Sequence, residues 1–170
     1  MTRVRRVGVS LLLSMVLALY QGSFGLAQCA GLSTPLSLPI NLPINLVVID
    51  QFRAPSCKWC SGNRGIEYRT EPGSIVTAAV GGIASFVGNV AGTNYVVIKT
   101  INTNDNLLVT HGRLQSVLVK SGALITTGQS IGRAGESLYI GVRVNGQYSD
   151  PRQCSGLGLR GKPRAVLVAG

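Results

Sequence analysis

The sequence predicts an all-β protein, a compact antiparallel sheet core preceded by an export signal and a proline-rich arm. Three observations carry that expectation. Between residues 50 and 154, short runs rich in Val and Ile alternate with Gly, Asn and Thr at the distances that hairpins need. No stretch keeps apolar residues at helical spacing beyond about two turns. Asn145-Gly146 falls between the last run and "QYSDP", and it is the pair that best supplies the positive φ angles of a tight turn between strands.

Residues 1–27 come first and read as a signal peptide. "MTRVRR" brings Arg3, Arg5 and Arg6, Val7 to Leu19 is an uncharged apolar run, and Gly25 and Ala27 are small residues at the exit. The apolar run is too short for a membrane anchor, which needs ~20 residues to cross the hydrocarbon core. A lipoprotein site at Cys29 would need a small residue where bulky Gln28 stands. Cleavage after Ala27 removes three Arg, and the formal charge falls from +10 to +7, with 13 Lys and Arg against 6 acids. The expected place is outside the cytoplasm, secreted or in the cell envelope, with no stable membrane insertion after cleavage. A basic exported chain is drawn to anionic envelope polymers or phospholipid headgroups. Nucleic acid is set aside as a partner, because no cluster of Lys and Arg interleaves with aromatics.

Residues 28–49 form the arm. Leu-Pro-Ile-Asn occurs at 38–41 and again at 42–45, and Pro39 and Pro43 lack a donor and fix φ, so an extended course replaces a helix. Residues 50–154 hold the β domain, with runs "SIVTAAV", "GIASFVGNV", "NYVVIKTI", "NLLVTH", "SVLVK", "ALITTGQSIGRAG" and "SLYIGVRV". Residues 155–170 are a basic tail of Gly and Pro, expected to be loosely ordered.

The mature chain keeps Cys29, Cys57, Cys60 and Cys154, and an even count in an exported protein points to disulfides. "CKWC" as a redox pair would need a helix N-terminus behind a strand to lower the thiol pKa, and the next residues are the turn-like Ser-Gly-Asn-Arg-Gly. A zinc ribbon would need a second Cys-x-x-Cys, which is absent. Two arrangements remain: Cys57 joined to Cys60, or each tied to an end of the domain at Cys29 and Cys154.

Six segments then come in order: "GNRGIE" from Gly62, "GSIVTA" from Gly73, "GIASFVG" from Gly82, Val117–Gly132, "LYIGVR" from Leu138, and "SDP" closing at Pro151. In that order they resemble the lysostaphin or LytM-type peptidoglycan endopeptidases, the β-lytic metallopeptidase family, and in particular its secreted actinobacterial form. The resemblance implies a LytM-like sheet, a duplicated hybrid motif, with a groove across one face where bacterial wall peptides are cut with the help of zinc.

The same resemblance shows which functional positions have changed. The family's first ligand His falls on Asn63, its ligand Asp on Glu67 and its last ligand His on Tyr139. Its "Y-x-H" pair falls on His111 and Arg113, so a catalytic His becomes Arg, and a further catalytic position falls on Ser137. A zinc hydrolase wants about three ligands from His, Cys and carboxylate and an open place for water. Amide oxygen and un-ionised phenol are poor donors, and Arg113 adds a fixed positive charge that repels a dication. The expectation is no catalytic residue and no zinc, with Asn63, Glu67 and Tyr139 as degenerate ligand positions.

Other chemistry is less well supported by the residues. A hydrolase triad on His111 lacks a nucleophile-elbow motif around any Ser, and no aspartate-rich calcium loop is present. The remaining reading is an exported, non-catalytic module. Its groove of Asn63, Glu67, His111, Arg113, Ser137 and Tyr139 would bind peptidoglycan peptides, or a wall amidase that the module regulates. The alternatives are an active endopeptidase with an unusual metal site and a purely structural exported β domain.

Overall fold

A computed structural model describes residues 47–101, 104 and 106–154. The signal peptide, nearly all of the arm, the tail and Cys29 lie outside the described residues. Among the described residues nine strands form one antiparallel sheet: β1 (Val48–Asp50), β2 (Gly65–Arg69), β3 (Ile75–Thr77), β4 (Gly82–Val90), β5 (Thr93–Lys99), β6 (Leu108–Val117), β7 (Leu124–Ile125), β8 (Ser130–Val144) and β9 (Gln147–Ser149). One helical turn, α1 (Pro151–Cys154), closes the described domain. The strand order is β1-β2-β8-β6-β5-β4-β7, with β3 and β9 also paired to β8.

The longest strand organises the rest. The first part of β8 pairs with β3 and with the far end of β6, and from Ser137 onward it pairs with β2, β9 and the near end of β6. Its alternation is strict in that second part. Leu138, Ile140 and Val142 are buried in the core, whereas Tyr139 and Arg143 face the other way. Each fully buried aliphatic side chain contributes about 1.5–3 kcal/mol by leaving water, and those of β8 meet Val96 and Ile98 of β5 and Val109 of β6 in one core cluster.

Two sequence runs merge where a break looked natural. The end of "NLLVTH" and the start of "SVLVK" belong to the single strand β6, and "SIGRAG" and "SLYIGVRV" to the single strand β8. The reason is an irregularity rather than a turn. The register slips between Gly112 and Leu114, and Arg113 takes φ 60°, so the chain bends without leaving the sheet. The Asn145-Gly146 turn is as the sequence reads. Both residues have positive φ, 49° and 84°, and Val144 pairs with Gln147 across it.

Cys57 and Cys60 are joined to each other. Cys154 is also disulfide-bonded, and no described cysteine is free. No helix of the described residues is long and apolar enough to cross a membrane.

Candidate functional site

One row of residues crosses four strands and forms the floor of a cleft. Glu67 of β2 lies opposite Tyr139 of β8, Tyr139 opposite Gly112 of β6, and Gly112 opposite Tyr95 of β5. The cleft encloses about 360 Å³ and is lined by these side chains with Arg64, Thr110, Arg113 and Tyr148.

Glycines make the room that Tyr139 fills. A Cβ on Gly65 would stand 2.6 Å from Tyr139 Cζ, and one on Gly141 would stand 2.8 Å from its hydroxyl oxygen. At Gly112 a Cβ would meet the Tyr95 ring at 2.5 Å and the Tyr139 ring at 3.2 Å. The phenol therefore lies down across bare backbone instead of standing out into solvent. Burial, with Tyr148, Tyr95 and Glu67 nearby, pushes its pKa up to about 12, so the ring is neutral at any physiological pH.

Across the row, the bend at Arg113 carries its side chain over to β2. Its Nη2 donates to Glu67 Oε1 at 2.8 Å, joining residues 46 positions apart. The side chain of Arg113 is 49% exposed and that of Glu67 15%, so the acid is sheltered and the guanidinium still reaches solvent.

Of the six residues expected in the groove, the structure brings Glu67, Arg113 and Tyr139 together in the cleft. Asn63 is only 8% exposed and lies behind the lining, at the entry to β2. Its backbone bridges Arg53, and its Oδ1 accepts from the Gly65 N–H at 3.3 Å, which turns the chain into the strand. The Asn63 Nδ2 is buried without a hydrogen-bond partner among the described residues. It leans toward Asp50, where it adds the least of several effects holding that carboxyl below its usual range; the Arg53 side chain supplies the largest. Ser137 pairs with Arg69 near the end of β2 and does not line the cleft.

His111 is the correction. It turns into the core, fully buried, with Ile140 and Val96 beside it in the sheet. His111 sits between Thr110 and Gly112, which face the cleft, so alternation turns it to the opposite face, and the irregularity after Gly112 brings Arg113 back to the cleft instead of letting it follow His111. Its Nε2 accepts the Ala79 N–H at 3.2 Å, so the neutral ring carries its proton on Nδ1. Burial lowers its pKa to about 4. The nearby Val96 carbonyl favours the charged form a little, but it makes no hydrogen bond to Nδ1 within ordinary geometry, and desolvation wins.

These residues do not fit the zinc that the resemblance implies. The Asn63 amide oxygen already holds a backbone N–H, the carboxylate of the cleft, Glu67, is engaged by Arg113, and Tyr139 keeps its proton. Among the described residues no three His, Cys, Asp or Glu side chains converge.

Sequence reasoning missed Tyr95, Thr110 and Tyr148, and did not place Arg64 in the groove. Strand parity was the available signal for two of them, since Thr110 and Gly112 share a face of β6 and Tyr95 pairs with Gly112. Tyr148 enters because the Asn145-Gly146 turn folds β9 back along β8, pairing it with Arg143.

Comparison with known proteins agrees with this geometry. Residues 61–151 match Peptidase family M23. The catalytic domain of the prophage-encoded M23 protein EnpA from Enterococcus faecalis, solved as a point mutant, is similar at 20% identity and a TM-score of 0.53, over 67% of this chain and 95% of that one. A zinc-containing peptidase from Vibrio cholerae is similar at 22% identity and a TM-score of 0.58, over 69% of this chain but only 39% of that one. A chain of the SpoIIQ–SpoIIIAH pore-forming complex reaches a TM-score of 0.60 at 16% identity, over 71% of this chain and 90% of that one. At such identities the likeness is one of fold. No curated protein matches the chain by sequence.

Proposed function

We propose that this chain, which belongs to peptidase family M23, binds in its cleft what an active relative would cut. The observation that supports this reading is the cleft floor itself. A neutral phenol occupies the last ligand position and Arg113 grips the only acid, so the face offers hydrogen bonds, an aromatic surface and a partly free cation. Arg113 commits Nη2 to Glu67, and its remaining N–H groups have no partner among the described residues. They are placed to take a carboxylate of an extended peptide in fork geometry.

The proposed ligand is a peptidoglycan stem peptide, and the proposed setting is the cell envelope, reached through the signal peptide at residues 1–27. A wall amidase under the module's control is the protein partner with the same requirement for an exposed groove. One solved relative is a component of a protein complex with SpoIIIAH, so this fold also supports protein recognition.

Co-sedimentation with purified sacculi, and with candidate amidases, tests the reading. The wild-type protein is expected to bind one of them. Arg113→Ala is expected to weaken that binding by about 1–3 kcal/mol, the value of a charged hydrogen bond lost from a desolvated contact. Failure of the wild type to bind either, or equal binding by the variant, would leave the groove without a role.

A further inference from the structure

A second hollow opens beside the cleft and shares two of its walls. It encloses about 760 Å³ and is lined by the Cys57–Cys60 loop with Trp59, by Arg64 and Tyr148, which also line the cleft, and by Arg143. Its charged lining is entirely cationic, namely Lys58, Arg64 and Arg143. None of the three ion-pairs within the described residues, where the ion pairs are Arg53–Asp50, Arg113–Glu67 and Arg152–Asp150.

These cations are held in place without being neutralised. The Arg64 and Arg143 guanidiniums lie 5.4 and 5.8 Å from the centre of the same Tyr148 ring. Arg64 Nη2 also donates to the carbonyls of Lys58 and Cys60, at 3.0 and 3.3 Å, which fixes it against the disulfide loop. A ring quadrupole and two carbonyls orient a guanidinium but cancel little of its charge. Two forks over one ring, Arg64 held also by the two carbonyls and Arg143 by the ring alone, with no acid in the wall, form a receptor for an oxyanion.

Spacing indicates which oxyanion. Tyr139 and Arg143 lie four residues apart on β8 with side chains on the same face, a separation of roughly 13 Å at the rise of a strand. An extended peptide of about four residues covers the same length. A peptide anchored at Arg113 and running parallel to β8 would bring its end to Arg64 and Arg143.

We infer that the hollow between the Cys57–Cys60 loop and β9 is a terminal-carboxylate subsite, in which Arg64 and Arg143 receive the C-terminal carboxylate of a short extended peptide lying in the cleft. This rests on the cleft being a peptide-binding groove. The hollow then reads the end of the peptide, and an amidated or extended peptide lacks the group it recognises.

Calorimetric titration of the purified protein with N-acetylated Glu-Ala-Ala-Ala, whose first side chain supplies the carboxylate for Arg113, tests the subsite, in parallel with the same peptide amidated at its C-terminus. The free acid is expected to bind at least tenfold more tightly than the amide. Arg143→Lys, which keeps the charge but not the fork, is expected to lose most of that preference while retaining the wild-type melting temperature. Equal binding of acid and amide would overturn the subsite, as would no detectable binding of the acid. Displacement of the acid by equimolar inorganic phosphate would also overturn it, by showing a general anion site. Sacculus binding that stays sensitive to Arg113→Ala alongside any of these results would leave the cleft reading standing and remove only the subsite.

Discussion

His111 and Gly112 are neighbours on β6, yet they belong to two different environments. On the His111 side the sheet is packed with Ile140, Val96 and Ala79, and a titratable ring has been made inert by burial. On the Gly112 side the sheet is bare backbone over which two tyrosines lie, flanked by an ion pair and open to solvent. The two faces use opposite means to hold polar groups. The core face pairs one nitrogen of its histidine with a backbone N–H, leaves Nδ1 without a partner among the described residues, and excludes a second proton by burial. The cleft face leaves cations only partly satisfied, and that residual capacity is what a ligand can use.

The largest expected effect tests whether the glycine floor is structural. Gly65→Ala would drive a methyl into the Ile140 carbonyl and the Tyr139 ring. Because backbone cannot move aside as a side chain can, a loss of about 3 kcal/mol is expected, read as a large fall in the denaturation midpoint. A variant as stable as wild type would mean that the floor has slack and that Tyr139 is not fixed by it.

Next comes the titration of the core face. The folded His111 has a pKa of about 4 against an ordinary 6.5, so the unfolded chain binds the proton first as the pH falls. Stability is therefore complete above about pH 6.5 and is lost progressively down to about pH 4, by a total on the order of 3 kcal/mol. His111 is the chain's only histidine, so His111→Gln, whose amide oxygen can still accept the Ala79 N–H, should flatten the stability profile across that window. An unchanged profile would move the acid sensitivity elsewhere.

A smaller and more local effect is expected at the Cys57–Cys60 loop. Closing so short a loop is worth about 2 kcal/mol at most by chain entropy, and the loop's Trp59 is 86% exposed and outside the core. Replacing both cysteines by serine should alter the fluorescence of this single tryptophan while lowering stability by no more than about 2 kcal/mol. A larger loss of stability would show that the loop supports the sheet.

The smallest effect belongs to the ion pair of the cleft. Arg113 is half exposed, so Arg113→Ala should change stability by less than about 1 kcal/mol even as it weakens binding. Thermal denaturation checks this, and a loss comparable to that of Gly65→Ala would give the pair a structural role instead.

Much of the fold was legible because its causes are local. The β-branched runs, the glycine punctuation and the Asn145-Gly146 turn each act within a few residues, and the order of the six segments from Gly62 to Pro151 carried the architecture. The continuity of β6 was not legible, since "GRLQ" reads as a break and becomes a bend only when β8 lies alongside to hold it. That same bend hid the side on which His111 falls. A one-residue irregularity inverts parity, and nothing in the residue types around Arg113 marks it. The Arg64–Tyr148–Arg143 cluster was hidden for another reason, because its members come from three separate segments and meet only when β9 folds back.

The central claim is that Tyr139 and the Arg113–Glu67 pair have taken the place of a metal centre. Zinc content measured by mass spectrometry tests it most directly, on protein incubated with excess zinc and then dialysed. The account predicts well under one zinc per chain. About one tightly held zinc per chain would contradict it and return the cleft to catalysis.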